Sequence, residues 1–148
     1  MQDNFGKNFE EKVISIDRVS RTVKGGKRIN FRALVIVGDR NGQVGVGLGK
    51  ASEVANSIKK AVTAAKKHMV SIKISDKGSI GREILSDLGS ASILLKPAPE
   101  GTSIIAGGVV RAVAELSGIK NLVAKSYGTN NKINCAKATL AGLIEAGK

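Results

Sequence analysis

The sequence predicts an α+β protein built from two units, an antiparallel sheet carrying one helix and then an α/β unit. Three observations lead to this prediction. Two runs of alternating β-branched residues flank a Gly-Gly pair, which is the pattern of a hairpin with a tight turn. A third such run, over residues 43–49, precedes an amphipathic stretch of helical period, over residues 52–68. Beyond residue 75, strand-like and helical stretches alternate, so we place the two domains at residues 1–74 and 75–148.

The hairpin is the most basic segment of the chain. Its strands are predicted at residues 13–16 and 29–37, and Gly25 and Gly26 form the tip. Between Asp17 and the end of this segment there are six basic residues, namely Arg18, Arg21, Lys24, Lys27, Arg28 and Arg32. A cationic tip of this kind suits phosphates, because each Lys or Arg releases condensed counterions. The alternative is a basic turn that only faces solvent.

The overall charge favours a polyanionic partner. The 148 residues carry a formal net charge of +12, with a pI near 10.1, which exceeds what solubility requires. Residues 1–74 hold 15 basic and 6 acidic residues, against 9 and 6 in residues 75–148, so the first half is expected to face the polyanion. Aromatic residues make up only 3% of the chain and Trp is absent. Contact with the backbone of folded RNA therefore fits better than base stacking.

The third strand has glycine at positions 45, 47 and 49, on one face. Either a packed helix or a nucleic-acid backbone must lie close to that face. The run ending at Lys50 is not a phosphate-binding loop, because Val44 and Ala51 stand where such a loop needs glycine and Ser or Thr. The dinucleotide-binding fingerprint fails too, since Lys50 takes the place of its third glycine.

The following helix, residues 52–68, has an apolar face and a lysine-rich face. Its lysines are Lys59, Lys60, Lys66 and Lys67. Either they contact RNA or they are only solvated, and the sequence favours neither. The strand-like residues 70–74 end this unit.

In the second unit, strands are predicted at residues 92–96 and 121–125, and helices at 109–116 and 133–146. Gly118 is placed to end the first helix and the Asn residues at 130 and 131 to cap the second. Gly107 and Gly108, at the start of the first helix, could present backbone N–H groups to an anion. A plain tight turn is the competing interpretation.

No arrangement of residues indicates an enzyme. The carboxylates are scattered, and the residues suggest no nucleophile with a base. The single cysteine, Cys135, excludes an internal disulfide and a thiolate cluster, and His68 has no second metal-type residue nearby. We therefore expect no cofactor, no metal and no small-molecule substrate. A membrane span and secretion are not expected either, because long apolar runs and an apolar signal core are missing.

Three segments together resemble one protein family. They read RVSRTVKGGKRINFRALVIVGDRNGQVGVGLGKASEV at 18–54, PEGTSIIAGGVVRAVAELSGIKNLVAKSYGT at 99–129 and INCAKATLAGL at 133–143. In order and spacing they are similar to the bacterial type of the small-subunit ribosomal protein family called S-five. They cover most of the chain.

The resemblance implies an N-terminal fold similar to a double-stranded-RNA-binding domain and a C-terminal α/β domain. It implies a structural role in the small ribosomal subunit, with rRNA bound where head meets body. It also implies support of translational accuracy, contact with the fourth and eighth small-subunit proteins, and a position beside the path by which mRNA enters. We expect a cytoplasmic location in the ribosome, and a bacterial, plastid or mitochondrial ribosome fits equally. The alternatives are a free RNA-binding regulator, or an RNA-processing factor or enzyme with a related domain.

Carried onto this chain, the resemblance makes residues 23–28 the loop that faces rRNA. With the neighbouring basic positions, the predicted rRNA-binding residues are Arg18, Arg21, Lys24, Gly25, Gly26, Lys27, Arg28, Arg32, Lys50 and Lys59. The family's GGxxRAV element makes Gly107, Gly108 and Arg111 the predicted contact with the fourth protein.

The chain departs from the family pattern at two places. Residues 79–82 read Ser-Ile-Gly-Arg where a T-I-P-H-like segment is usual, and Lys132 replaces a usual proline. The chain also stops soon after its last helix, so contacts of a longer tail are expected to be missing.

Overall fold

The computed structural model describes residues 9–128 and 131–147, apart from the side chain of Arg21. Within these ranges, eight strands form two four-stranded sheets, and three helices pack on them. The first sheet and its helix comprise β1 (Glu10–Val23), β2 (Gly26–Gly38), β3 (Gln43–Ala51), α1 (Val54–Lys67) and β4 (Val70–Ser71). The second sheet and its helices comprise β5 (Ile84–Leu88), β6 (Ala91–Pro97), β7 (Ile104–Ile105), α2 (Gly108–Ser117), β8 (Leu122–Gly128) and α3 (Lys132–Ala146).

The first sheet is antiparallel, in the order β1-β2-β3-β4. Side chains alternate along β2, so Ala33, Val35 and Val37 pack with Ala61 and Ala65 of α1. The sequence predicted three strands in this unit and a strand-like segment at residues 70–74, of which only the first two residues are in a strand. A short fourth strand exists because residues 70 and 71 return along the edge of β3.

The second sheet has the order β5-β6-β8-β7, with only the β7–β8 pair parallel. Helices α2 and α3 pack together on the inner side of the sheet, over buried residues such as Ile93, Leu95 and Leu122. The helices and the two predicted strands are confirmed within a few residues at each end. The sequence did not predict β5 and β7, because one has polar residues in its middle and the other has only two residues.

The two sheets share one hydrophobic core. Ile36 and Val44 of the first sheet belong to the same buried cluster as Val113 and Leu116 of α2. Residues 72–83 connect the sheets without helix or strand. The predicted boundary between residues 74 and 75 lies in this connection and stays a prediction, whereas the two-domain α+β fold class is confirmed.

Backbone hydrogen bonds reinforce the junction between the sheets. The turn between β2 and β3 donates from Arg40 N to Leu116 O at 3.0 Å, and from Gly42 N to Ser117 O at 2.8 Å. These carbonyls belong to the last turn of α2, where helical partners are missing. The first unit therefore caps a helix of the second, and this fixes α2 against the sheet.

Candidate nucleic-acid interface

Strands β1 and β2 extend well beyond the rest of the first sheet. Strand β3 pairs with β2 only from Phe31 to Gly38, whereas β1 and β2 stay paired as far as Val23 and Gly26. Residues 19–30 therefore form a two-stranded ribbon that no third strand covers, about 15 Å long at the usual rise per residue. We call these residues the ribbon. Its projection makes both of its faces accessible to a partner.

The tip of the ribbon is a two-residue turn, formed by Lys24 and Gly25. Gly25 has a φ of 101° and Gly26 a φ of 150°, and such values favour glycine because a Cβ would clash with the backbone. Apart from the adjacent residues, no heavy atom of the described residues lies within 4 Å of where a Cβ would stand at either glycine. The backbone of the tip is therefore open to close approach.

The basic residues occupy both faces of this ribbon and its base. Register places Arg28 and Arg32 on the face opposite α1, whereas Arg18 and Lys27 lie on the face that α1 shares. All of these side chains except the half-buried Arg32 are exposed, and so is Lys24 at the tip. Cations therefore point in several directions from one narrow element.

Two of the predicted rRNA-binding residues, Arg32 and Arg21, differ from the exposed cations. Arg32 lies 3.5 Å from a carboxylate oxygen of Asp17, while its Nε is shielded from solvent and has no hydrogen-bond partner among the described residues. The backbone of Arg21 pairs with Arg28, and its side chain lies outside the described part of the chain. Among the predicted rRNA-binding cations whose side chains are described, Arg32 is thus the least exposed.

The structure brings Lys50 to the base of the ribbon but does not bring Lys59 there. Lys50 is the β3 partner of Arg32, on the face away from α1. Lys59 lies on the exposed side of α1, across the sheet from Lys50. The ten predicted rRNA-binding residues therefore do not form one flat patch, because the sheet separates Lys59 from Arg28, Arg32 and Lys50.

The glycine face of β3 is covered by α1. A Cβ at Gly47 would overlap the carbonyl oxygen of Ala61, and one at Gly45 would overlap that of Ala65. A Cβ at Gly49 would likewise overlap the carbonyl oxygen of Ser57. Of the two alternatives for this face, the packed helix is the correct one, and the glycines serve the fold.

The predicted protein contact lies at the exposed start of α2. Gly107 caps the helix, and the N–H of Arg111 donates to Gly107 O at 2.8 Å. The side chain of Arg111 reaches forward by one turn of the helix to Glu115, with 2.9 Å between Nε and Oε1. Space is open around Gly107 and Gly108, so the start of α2 is accessible.

Two contacts of structural importance were missed from the sequence. The buried side chain of Asn121 accepts from Gly101 N and Ser103 N and donates to Lys77 O, which ties the connection to the loop before α2. Arg82 donates to Glu145 O at 3.2 Å at the end of α3. An Asn four residues after the end of α2 was the only local signal, since the bonds join positions far apart in sequence.

No metal-binding cluster accompanies these features in the described ranges. Residues 9–128 and 131–147 contain no group of three His, Cys, Asp or Glu side chains placed to hold a metal ion. Cys135 is buried and His68 ends α1. Within the same ranges no helix is both long and apolar enough to cross a membrane.

Fold and surface together define an α+β protein whose projecting cationic ribbon suits a nucleic-acid backbone. Comparison with known families gives a match to "Ribosomal protein S5, N-terminal domain" over residues 9–73 and to "Ribosomal protein S5, C-terminal domain" over residues 86–146. The chain therefore belongs to the ribosomal protein S5 family, as its motifs predicted, and it is a structural protein of the small ribosomal subunit.

Individual relatives agree with this assignment. The chain is 47% identical over 137 residues to small ribosomal subunit protein uS5c of Porphyra purpurea. This match covers 93% of the chain and 79% of the Porphyra protein. It is 49% identical over 138 residues to small ribosomal subunit protein uS5 of Ureaplasma urealyticum, covering 93% and 68%. For uS5 of Nostoc the identity is 49% over 136 residues, covering 92% and 78%.

Proposed function

We propose that the ribbon is the principal rRNA-binding element of this chain and that it binds where head meets body in the small subunit. The observation that carries the proposal is the ribbon itself, a narrow projection with cations on both faces and an open glycine tip. The position in the subunit rests on the family resemblance of residues 23–28.

The charges of the ribbon are available for a partner. Lys24, Lys27 and Arg28 form no ion pair with any described residue. Each can therefore neutralise a phosphate without first breaking a pair within the chain. Since the ribbon itself offers no aromatic ring, binding is expected to depend on the RNA backbone and shape, and so on salt concentration.

The test is the salt dependence of binding to purified small-subunit rRNA. Changing Lys24, Lys27 and Arg28 together to Ala should lower the slope of log affinity against log salt by roughly 2 to 3 units, at about 0.7–0.9 per contact. The matched control is the triple change of Lys77, Lys132 and Lys137 to Ala, which removes the same charge from exposed positions elsewhere. An unchanged slope in the ribbon variant, or an equal fall in the control, would contradict the proposal.

A second part of the proposal concerns accuracy and neighbours. We propose that the start of α2, with Arg111, contacts the fourth small-subunit protein and thereby supports accurate decoding, and that the chain also neighbours the eighth protein and the path by which mRNA enters. The exposure of Gly107, Gly108 and Arg111 supports the first contact, and the remaining positions rest on the family resemblance. Co-sedimentation with small subunits at high salt distinguishes this role from that of a free RNA-binding regulator, which would be released.

A further inference from the structure

The turn between β2 and β3 contains the pair Asn41-Gly42, the one place in the 148 residues where glycine follows asparagine. In such a pair the backbone nitrogen of the glycine can attack the side-chain amide of the asparagine, because glycine has no Cβ to hinder the approach. Asparagine is a thermolabile residue for this reason. The sequence therefore supplies both reacting groups, and the structure determines whether they can meet.

The fold requires glycine at position 42 but leaves the side chain of Asn41 free. Gly42 has a φ of 96°, and a Cβ there would stand 2.9 Å from the carbonyl oxygen of Ile72. Asn41 donates its backbone N–H to Asp39 Oδ1 at 2.8 Å. Its side chain is exposed and forms no hydrogen bond with any described residue. The amide that can react is thus open to solvent, beside a glycine that the turn needs.

Both polar groups of the Gly42 backbone are held by other parts of the molecule. Its N–H donates to the carbonyl oxygen of Ser117, the last residue of α2, at 2.8 Å, and its own carbonyl accepts from Ile72 N at 2.6 Å. Gly42 is also buried. The attacking nitrogen must lose its proton and turn towards Asn41, and the hydrogen bond to Ser117 opposes both changes. The packing of this turn on α2 therefore protects Asn41 from the reaction.

We propose that Asn41 is a self-modification site, which converts to isoaspartate when the turn leaves α2. Gly42 N forms a bond to Cγ of Asn41, and Nδ2 leaves as ammonia with the proton that Gly42 N loses. Water then opens the resulting succinimide at one of its two carbonyl carbons, which gives either Asp or isoaspartate.

The isoaspartate product cannot restore the original junction. Its main chain passes through Cγ, so the turn becomes one carbon atom longer between two strands that are held in register. Gly42 would then be displaced from both Ser117 and Ile72, which its backbone contacts in the unmodified chain. The reaction thus leaves a permanent mark on a chain whose turn has separated from α2.

The first test compares the full chain in buffer and in urea above its unfolding transition, at one mildly alkaline pH and one temperature. Peptide mapping by mass spectrometry measures the loss of the amide at Asn41, and enzymatic methylation of the isoaspartyl carboxylate distinguishes isoaspartate from Asp. The unfolded chain should react at least about tenfold faster, because only the open turn reacts. The variant Asn41→Gln, changed at an exposed side chain, should remain folded and unmodified.

A second test identifies the opening that permits the reaction. In urea below the transition, the logarithm of the rate should rise with a slope well below that of global unfolding, because separating the turn exposes less surface. Gly38→Ala, whose Cβ would overlap the carbonyl oxygen of Leu116 in α2, should raise the rate in buffer about fivefold or more. Gly45→Ala is the matched control, since its Cβ would overlap Ala65 O in α1. It should alter the rate by less than about twofold, because separate regions open independently.

A third test measures what the modification does to the fold. The isoaspartate chain is isolated after reaction in urea and returned to buffer, and it should unfold at a lower urea concentration than wild type. Asn41→Asp carries the same charge without the longer main chain. It should unfold as wild type does, because the changed side chain is exposed.

Five results would overturn the proposal. They are equal rates in buffer and in urea, no isoaspartate at position 41 in urea, a urea slope equal to that of global unfolding, equal acceleration by Gly38→Ala and Gly45→Ala, and wild-type stability of the isoaspartate chain. The third and fourth results would assign the reaction to general loss of structure. The urea slope decides this point even where Gly38→Ala does not fold.

Discussion

The two ends of strand β2 differ as sharply as any two regions of this molecule. Residues 26–29 are exposed and include Lys27 and Arg28, whereas residues 33–38 are all buried. The buried end lies between α1 on one face and the core shared with α2 on the other. The exposed end has neither. One strand therefore serves folding at its base and charge presentation at its tip, and mutations at the two ends should have separable effects.

The glycines at the ribbon tip and those in the packed part of the sheet also differ, because they are needed for different reasons. Gly25 and Gly26 are needed for their positive φ, in open space. Gly38 and Gly47 have no positive φ, and they are needed because a backbone carbonyl lies where a Cβ would stand. The difference shows that a glycine in a strand pattern can serve conformation or close approach. The following predictions test the contrast, ranked by the expected change in the free energy of unfolding.

The largest change is expected for Gly47→Val. The branched side chain would overlap Ala61 and Ala65 of α1, so we expect a loss of at least about 3 kcal/mol, the upper end of the usual overpacking cost. Urea unfolding of the full chain measures this. The control is Leu48→Val, one residue along at an exposed position, which should cost only a few tenths of a kcal/mol. A stable Gly47→Val variant would mean that α1 does not cover this face.

A smaller loss is expected for Gly38→Ala. Its Cβ would overlap the carbonyl oxygen of Leu116, which should cost about 1–3 kcal/mol by displacing α2 from the first sheet. Gly108→Ala is the matched control, because a Cβ there meets nothing within 4 Å and alanine favours a helix by about 0.5–1 kcal/mol. Thermal unfolding should therefore show a lower midpoint temperature for Gly38→Ala and a higher one for Gly108→Ala. If both variants are equally stable, the junction is not closely packed.

Arg111→Leu should barely alter folding. It removes one exposed pair with Glu115, worth a few tenths of a kcal/mol. If Arg111 instead pairs with a carboxylate of the neighbouring fourth protein in the subunit, its loss favours closure during decoding and acceptance of near-cognate tRNA. Misreading in fully assembled subunits should then rise. An error rate equal to that of wild type would mean that Arg111 only forms the ion pair with Glu115 within the helix.

No change in stability is expected for Lys24→Ala/Lys27→Ala/Arg28→Ala. All three side chains are exposed and unpaired among described residues, so the free energy of unfolding should stay within about 0.5 kcal/mol of wild type. This triple variant should also show the reduced slope of log affinity for rRNA against log salt. A loss of stability comparable with that of Gly38→Ala would show that the ribbon takes part in folding, and the contrast between the two ends of β2 would be wrong.

Local patterns in the sequence determined most of the elements, though not β5 and β7, and also the family. The Gly-Gly pair between β-branched runs predicted the β1–β2 hairpin, and helical spacing predicted α1, because both signals arise from neighbours along the chain. Gly118 was predicted to end α2 and has a φ of 100°. Asn131 was predicted to cap α3, and its side chain accepts from Ile133 N and Asn134 N. Thr129 and Asn130, in the same predicted loop, lie outside the described residues.

Only the tertiary structure decided what lies against each element. The sequence left open whether a helix or a nucleic acid covers Gly45 and Gly47, and the contact with α1 joins positions 14 to 20 residues apart. It did not predict the capping of α2 by the turn at Arg40, nor that the sheet separates Lys59 from Arg32. These features depend on packing between elements that are distant in sequence. A periodic sequence pattern indicates that one face of an element is covered, but it does not indicate which partner covers that face.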